Sequence, residues 1–169
     1  MAYKGDQESD PWTQSFAAVE TQNIDWYTRN DTNSSHPSGL ALYNDGSVVT
    51  LSYANTTNHP TIDFVADYGD SISAIEYADP NINKNNGVAY NATYGYNTMD
   101  MAPARGDQSP YTTNEKVVPQ GTFALLKDPN GEKDNDDHYA KLYVKGVDGT
   151  RWTVDVTVQP IGGLRWLVK

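Results

Sequence analysis

Apolar and polar residues alternate along much of this chain with a period of two rather than 3.6. Thr61 to Asp67 sets Ile62, Phe64 and Ala66 on one side, and Asp63, Val65 and Asp67 on the other. Ile72 to Tyr77 repeats the pattern. Tyr139 to Val147 places Ala140, Leu142 and Val144 opposite Tyr139, Lys141, Tyr143 and Lys145. Arg151 to Gln159 carries Trp152, Val154, Val156 and Val158 on one face. Such alternation is the mark of a half-buried strand. Asn44-Asp45-Gly46 separates Leu40–Tyr43 from Ser47–Tyr53, and Asp148-Gly149 separates the last two alternating runs. Both are hairpin signals. With Thr122 to Lys127 and a closing strand over Leu164 to Val168, the C-terminal part reads as an antiparallel meander.

One segment has the other period. Asp10-Pro11 has the form of an N-cap followed by proline in the first turn. Trp12, Phe16 and Val19 follow at spacings of four and three, which predicts a short helix ending near Gln22. Residues 1–9 are polar and are expected to form a disordered tail. Residues 28–38, 54–60 and 79–87 read as loops. Residues 97–121, broken by Pro103, Pro110 and Pro119, offer no strand beyond Lys116 to Val118, and an irregular stretch of that length is often functional. The expectation is a single all-β domain over residues 10–169, an antiparallel two-sheet β-sandwich with one short N-terminal helix. Trp152, Val154, Val156, Leu142, Val144, Ile62 and Phe64 should line its core, with the helix face packed on it or closing one end.

Composition alters the picture in three ways. A hydrophobic content of 37% with a net charge of −10 lies close to the signature of disorder. Twelve Tyr and four Trp supply large buriable surface, however, and argue for a folded chain. The acidic balance argues against a nucleic-acid partner, whose phosphates need Lys and Arg, and against a polybasic contact with anionic lipid. The chain has no cysteine, so it makes no disulfide. No apolar run is long enough for a spanning helix. The opening residues do not read as a signal peptide, and Met1-Ala2-Tyr3-Lys4 is expected to be a start that stands in place of an export segment.

Candidate chemistry is sparse. The nucleophile elbow, the phosphate loop and the dinucleotide fingerprint are all missing, and no carboxylate pair stands out, so the chain is read as not an enzyme. Arg105-Gly106-Asp107 is an integrin-type tripeptide in an expected exposed loop. Asp128, Asn130, Glu132, Asp134, Asp136 and Asp137 alternate as calcium ligands do. Lys133 and Tyr139 occupy the places where an EF-hand needs Gly and Glu, which favours a solvated acidic loop. Met99 and Met101 lie in the irregular stretch, and a thioether can ligate haem iron opposite His. Val88 to Tyr96 puts Tyr90, Tyr94 and Tyr96 on one face, where rings can stack on sugars or anchor an interface.

The C-terminal third carries a likeness. Gly121-Thr-Phe-Ala-Leu-Leu-Lys, His138-Tyr-Ala-Lys-Leu-Tyr-Val and Trp152-Thr-Val-Asp-Val-Thr-Val-Gln together resemble the end of HmuY-like proteins, exported β-rich haem-binding lipoproteins of Bacteroidetes. Gly39-Leu-Ala-Leu-Tyr-Asn-Asp-Gly and Thr61-Ile-Asp-Phe-Val resemble related lipoproteins of the same phylum. The resemblance implies a non-catalytic, ligand-binding lipoprotein domain at the outer membrane, cell surface or periplasm of a Gram-negative bacterium. Its lipid anchor would belong to a removed N-terminal segment. It also implies haem held between Met or His side chains, for which Met99, Met101 and His138 are the available residues. The alternatives are a surface glycan- or protein-binding module using Tyr90, Tyr94 and Tyr96, and a structural envelope protein without a small ligand.

Overall fold

The structure is a computed structural model, and it describes residues 16–79, 82–106 and 109–169. The expected tail over 1–9, the helix start at Asp10-Pro11 with Trp12, and Asp107 of the integrin-type tripeptide lie outside the described residues. The strands are β1 (Val19–Tyr27), β2 (Gly39–Leu42), β3 (Val48–Leu51), β4 (Phe64–Asp67), β5 (Ser71–Ala74) and β6 (Glu76–Asp79). They continue with β7 (Ile82–Asn85), β8 (Gly87–Asn91), β9 (Asn114–Lys116), β10 (Thr122–Lys127), β11 (His138–Asp148) and β12 (Arg151–Val158). The helical element among the described residues is one 3-10 turn at Thr56–Asn58.

Two five-stranded antiparallel sheets carry the fold. The first runs β1-β12-β11-β10-β8 and the second β3-β2-β4-β5-β9, while β6 and β7 form a separate two-stranded ladder. The C-terminal meander is present: β10, β11 and β12 pair in sequence order, with Leu142 opposite both Phe123 and Val156. Between the sheets lies one apolar core. Leu40, Leu42, Phe64 and Ile72 come from the second sheet, and Phe123, Leu142, Val144, Val154 and Val156 from the first. Trp26 and Trp152 face each other across β1 and β12 as an edge-on pair, ring centroids 5.6 Å apart. The residues expected in the core are all fully buried. The shared core is that of two sheets packed as layers.

Among the described residues the N-terminal helix is not seen. Residues Val19 to Gln22, its expected end, are strand, and Val19 to Thr21 pair with β12. Val19 and Phe16 are about two-fifths exposed and do not line the inter-sheet core. The edge of β12 offers hydrogen-bonding partners to an extended chain placed beside it, and tertiary pairing of that kind overrides a weak helical period. Val19 instead presses on the Asn44-Asp45-Gly46 turn. A side chain at Gly46 would meet the Val19 Cβ at 2.6 Å, and its φ of +87° favours glycine as well.

Two other expectations change. β7 occupies part of the segment read as a loop at 79–87. The closing strand over Leu164 to Val168 is replaced by an irregular segment, joined by an isolated bridge between Trp166 and Met101. That segment and residues 99–102 cover the outer face of the first sheet, where Met99, Ala102 and Leu167 pack on Ala124, Leu126 and Tyr139 as a second small core. The first sheet is therefore covered on both faces.

Candidate functional site

Of the residues singled out for haem, Met99 and Met101 line one depression and His138 does not. Met99 is buried in the second core, and its carbonyl accepts a hydrogen bond from Lys141 Nζ at 2.9 Å. Met101 is exposed, and it shares a shallow depression of about 420 Å³ with Tyr94, Thr98 and Asp100. His138 begins β11, is buried, and its Nδ1 lies 3.2 Å from the Gln159 carbonyl. His138 is not among the residues lining the Met101 depression.

The tyrosine triplet divides because β8 ends at Asn91. Tyr90, still in the strand, is exposed and leans on Phe123 at 5.3 Å. Tyr94 stands in the following turn, where Asn91 Oδ1 accepts from the N–H groups of Thr93 and Tyr94. Tyr96 turns inward. Its hydroxyl is 2.7 Å from Thr157 Oγ1, and the ammonium groups of Lys141 and Lys169 each lie 5.1 Å from its ring centroid. Burial pushes its phenol well above the usual tyrosine range.

The acidic loop is not simply solvated. Asp128 and Asp137 are buried, and Arg105 Nη1 reaches both, at 2.8 and 3.2 Å. The same guanidinium donates to the carbonyls of Glu132 and Gly131 at 2.7 and 3.0 Å. Two of the six residues that the spacing suggested for calcium thus give their carboxylates to Arg105. Among the described residues, no group of three or more His, Asp or Glu side chains is arranged to hold a metal. Arg105 is thus committed to the protein's own loop rather than displayed. Burial raises the carboxyl of Asp137 to about 6 despite the arginine beside it.

The most elaborate polar and aromatic arrangement lies where loop 28–38 meets the Ser52–Ala54 segment and Tyr68. It is a depression of about 230 Å³, with Arg29, Asp31, Asn33, His36, Tyr53 and Tyr68 among its walls. Arg29 is the centre. Its guanidinium lies 4.6 Å from the Tyr53 ring centroid and 4.7 Å from that of Tyr68, and it pairs with Asp67 Oδ1 at 3.2 Å. His59 stacks on Tyr53, and His36 on Tyr27, at 4.2 and 4.0 Å between centroids.

Short-range bonds hold loop 28–38 in shape. Asp31 Oδ1 and Asn33 Oδ1 accept from backbone N–H groups two residues on, and the Arg29 N–H donates to Ala66 across to β4. Asn33 Nδ2 faces His36 Nε2 at 3.1 Å, and His36 Nδ1 faces Asp31 Oδ1 at 3.0 Å. With Asn33 donating, the neutral ring carries its proton on Nδ1, toward Asp31. The Thr150 hydroxyl also bonds Asp31, and these partners hold its carboxyl below the ordinary range. Thr28 Oγ1 is buried without a hydrogen-bond partner. Tyr68 is more than half exposed, so one ring face is open to water beside a row of fixed donors and acceptors.

Loop composition was the sequence's hint of this region. The Arg29–Tyr53–Tyr68 stack joins three separate segments, and no local spacing announces it.

No family model matches the chain, and no curated protein matches it. A solved structure does. A DUF4466 family protein from Parabacteroides merdae is similar, with a TM-score of 0.56 at 12% sequence identity. The likeness is one of fold. It covers 84% of this chain and 53% of that one, so the chain spans about half the length of the protein it matches. The neighbour belongs to Bacteroidetes, the phylum of the sequence resemblance, but nothing in the match marks this chain as HmuY-like.

Proposed function

We propose that this chain is a non-catalytic module of a Gram-negative cell envelope that binds a glycan at the Arg29 depression. One observation carries the reading: the open Tyr68 ring stands beside Asp31, Asn33 and His36 in one depression. Sugar recognition needs an aromatic face for the C–H side of a ring and fixed polar groups for its hydroxyls. Arg29 beneath Tyr53 and Tyr68 holds the platform in place before any ligand arrives, which lowers the ordering cost of binding. The volume is below the roughly 300–1,000 Å³ of a drug-sized site, which suits a single sugar ring at a chain end. Support for an envelope location comes from the fold shared with a Bacteroidetes protein.

A glycan array probed with the wild-type protein and with Tyr68→Ala tests this. Binding to a defined glycan class that falls by about tenfold or more in the variant is expected. No bound glycan, or equal binding by both proteins, would refute it. Haem is the second reading, and it rests on the exposed Met101 thioether beside Tyr94. A Soret band saturating at one equivalent of hemin and lost in Met101→Ala would move the function to that depression.

A further inference from the structure

At the far end of β2 from the Arg29 depression, two lysines converge on one carboxylate. Asp63 is fully buried. Its Oδ1 accepts from Lys84 Nζ at 2.9 Å, and its Oδ2 accepts from the Leu42 N–H at 2.8 Å. Lys84 is itself more than nine-tenths buried and also donates to the Ile62 carbonyl at 3.0 Å. Lys127, at the end of β10, bonds the Leu42 carbonyl and stands 3.7 Å from Asp63 Oδ2. One carboxylate therefore faces two ammonium groups.

This floor opens into a depression of about 490 Å³ walled by Tyr43, Asn44, Pro60, Thr61 and Pro129. Asp136 stands at its exposed rim, where water screens its charge. A buried ion pair that is one anion short is costly, because the extra ammonium is drawn out of water without a full partner. Lys127 shows that cost: burial, with Lys84 behind it, lowers its affinity for a proton despite the pull of Asp63. The walls add a ring, two prolines and two neutral hydrogen-bonding side chains. That lining accommodates an organic body with hydroxyls rather than a bare ion.

We propose that this depression binds a small, singly charged carboxylate on a sugar-sized body, with Lys127 as its counter-ion and Lys84–Asp63 as the fixed pair beneath. The site is separate from the Arg29 depression and does not depend on the glycan reading made there.

The test uses the full chain and two probes of the same size, glucuronate and glucose, followed by NMR. Glucuronate is expected to shift the backbone amides of Leu42, Tyr43 and Thr61 and to saturate, while glucose leaves them in place. Lys127→Gln keeps the Lys84–Asp63 pair and should weaken glucuronate at least tenfold, whereas Lys127→Arg keeps the charge and should retain binding. In the wild type, the Lys127 Cε resonance should titrate at higher pH once glucuronate is bound, a readout that needs no variant. Equal shifts from both sugars, unchanged binding by Lys127→Gln, or a Lys127 titration indifferent to glucuronate would overturn the site. Shifts confined to residues around Arg29 and Tyr68 would likewise overturn it, while supporting the other depression.

Discussion

The two faces of the first sheet are built on different terms. Along β11 the inner face carries Ala140, Leu142 and Val144, and the outer face Tyr139, Lys141, Tyr143 and Lys145. The inner face meets the second sheet through aliphatic side chains and the Trp26–Trp152 pair. The outer face looks polar, yet Tyr139 and Lys141 are buried there. Residues 96–102 and Leu167 lie over it, and two of the polar groups there find named partners: Lys141 the Met99 carbonyl, and Tyr96 the Thr157 hydroxyl. Polarity along a strand therefore reports what a side chain needs, not whether water reaches it. A polar face can be buried when the covering segment supplies the matching hydrogen bonds.

The sharpest way to break the comparison is on the inner face. Trp152→Ala removes one half of the tryptophan pair and leaves a cavity with no route to relax, so a loss of about 3–5 kcal/mol in chemical denaturation is expected. A loss under about 1 kcal/mol would mean that the inter-sheet core is not the main support. On the outer face, Met99→Ala should cost about 2–5 kcal/mol, because Met99 is a core residue there. Met101→Ala, two residues on and exposed, should stay within about 0.5 kcal/mol. Equal effects from the two would show that the segment does not cover the sheet as described.

Tyr96→Phe tests whether hydrogen bonding holds the outer cover. Losing the hydroxyl leaves Thr157 Oγ1 buried and unpaired, and a cost of about 1–3 kcal/mol follows. No change would mean that the ring's packing is all that counts. The last test is a pH slope. Folding raises the Asp137 carboxyl from 3.8 to about 6, so across that window the folded protein holds a proton that the unfolded chain releases. The stability this group contributes is present at low pH and fades as pH rises through 6. Asp137→Asn removes the titration, so the wild type should lose stability relative to the variant between about pH 4 and 6.5 and run parallel to it above. A difference that is flat with pH would show that Arg105 offsets the burial completely.

How much was legible beforehand follows the same division. Arg151–Val158 was readable because it alternates, and Thr122–Lys127 because it is a short apolar run bounded by turn residues. The Asn44-Asp45-Gly46 hairpin was readable because its glycine must take a positive φ. The helix over 10–22 was misread where it can be checked: three apolar residues at helical spacing are a weak signal beside an open strand edge. The tyrosine triplet was misread because nothing local shows that β8 stops at Asn91. Arg105 carried no hint of its role, since Asp128 and Asp137 are more than twenty residues away in the chain.

By itself, then, the sequence determined the all-β class, the C-terminal meander and the identity of the inter-sheet core, because period-two burial is a local property of the chain. Tertiary structure alone decided which polar residues are buried, which cation occupies the acidic loop, and where Arg29, Tyr53 and Tyr68 meet. Each of those depends on bringing distant segments together, where the cost of leaving water is set by partners that neighbouring residues do not reveal.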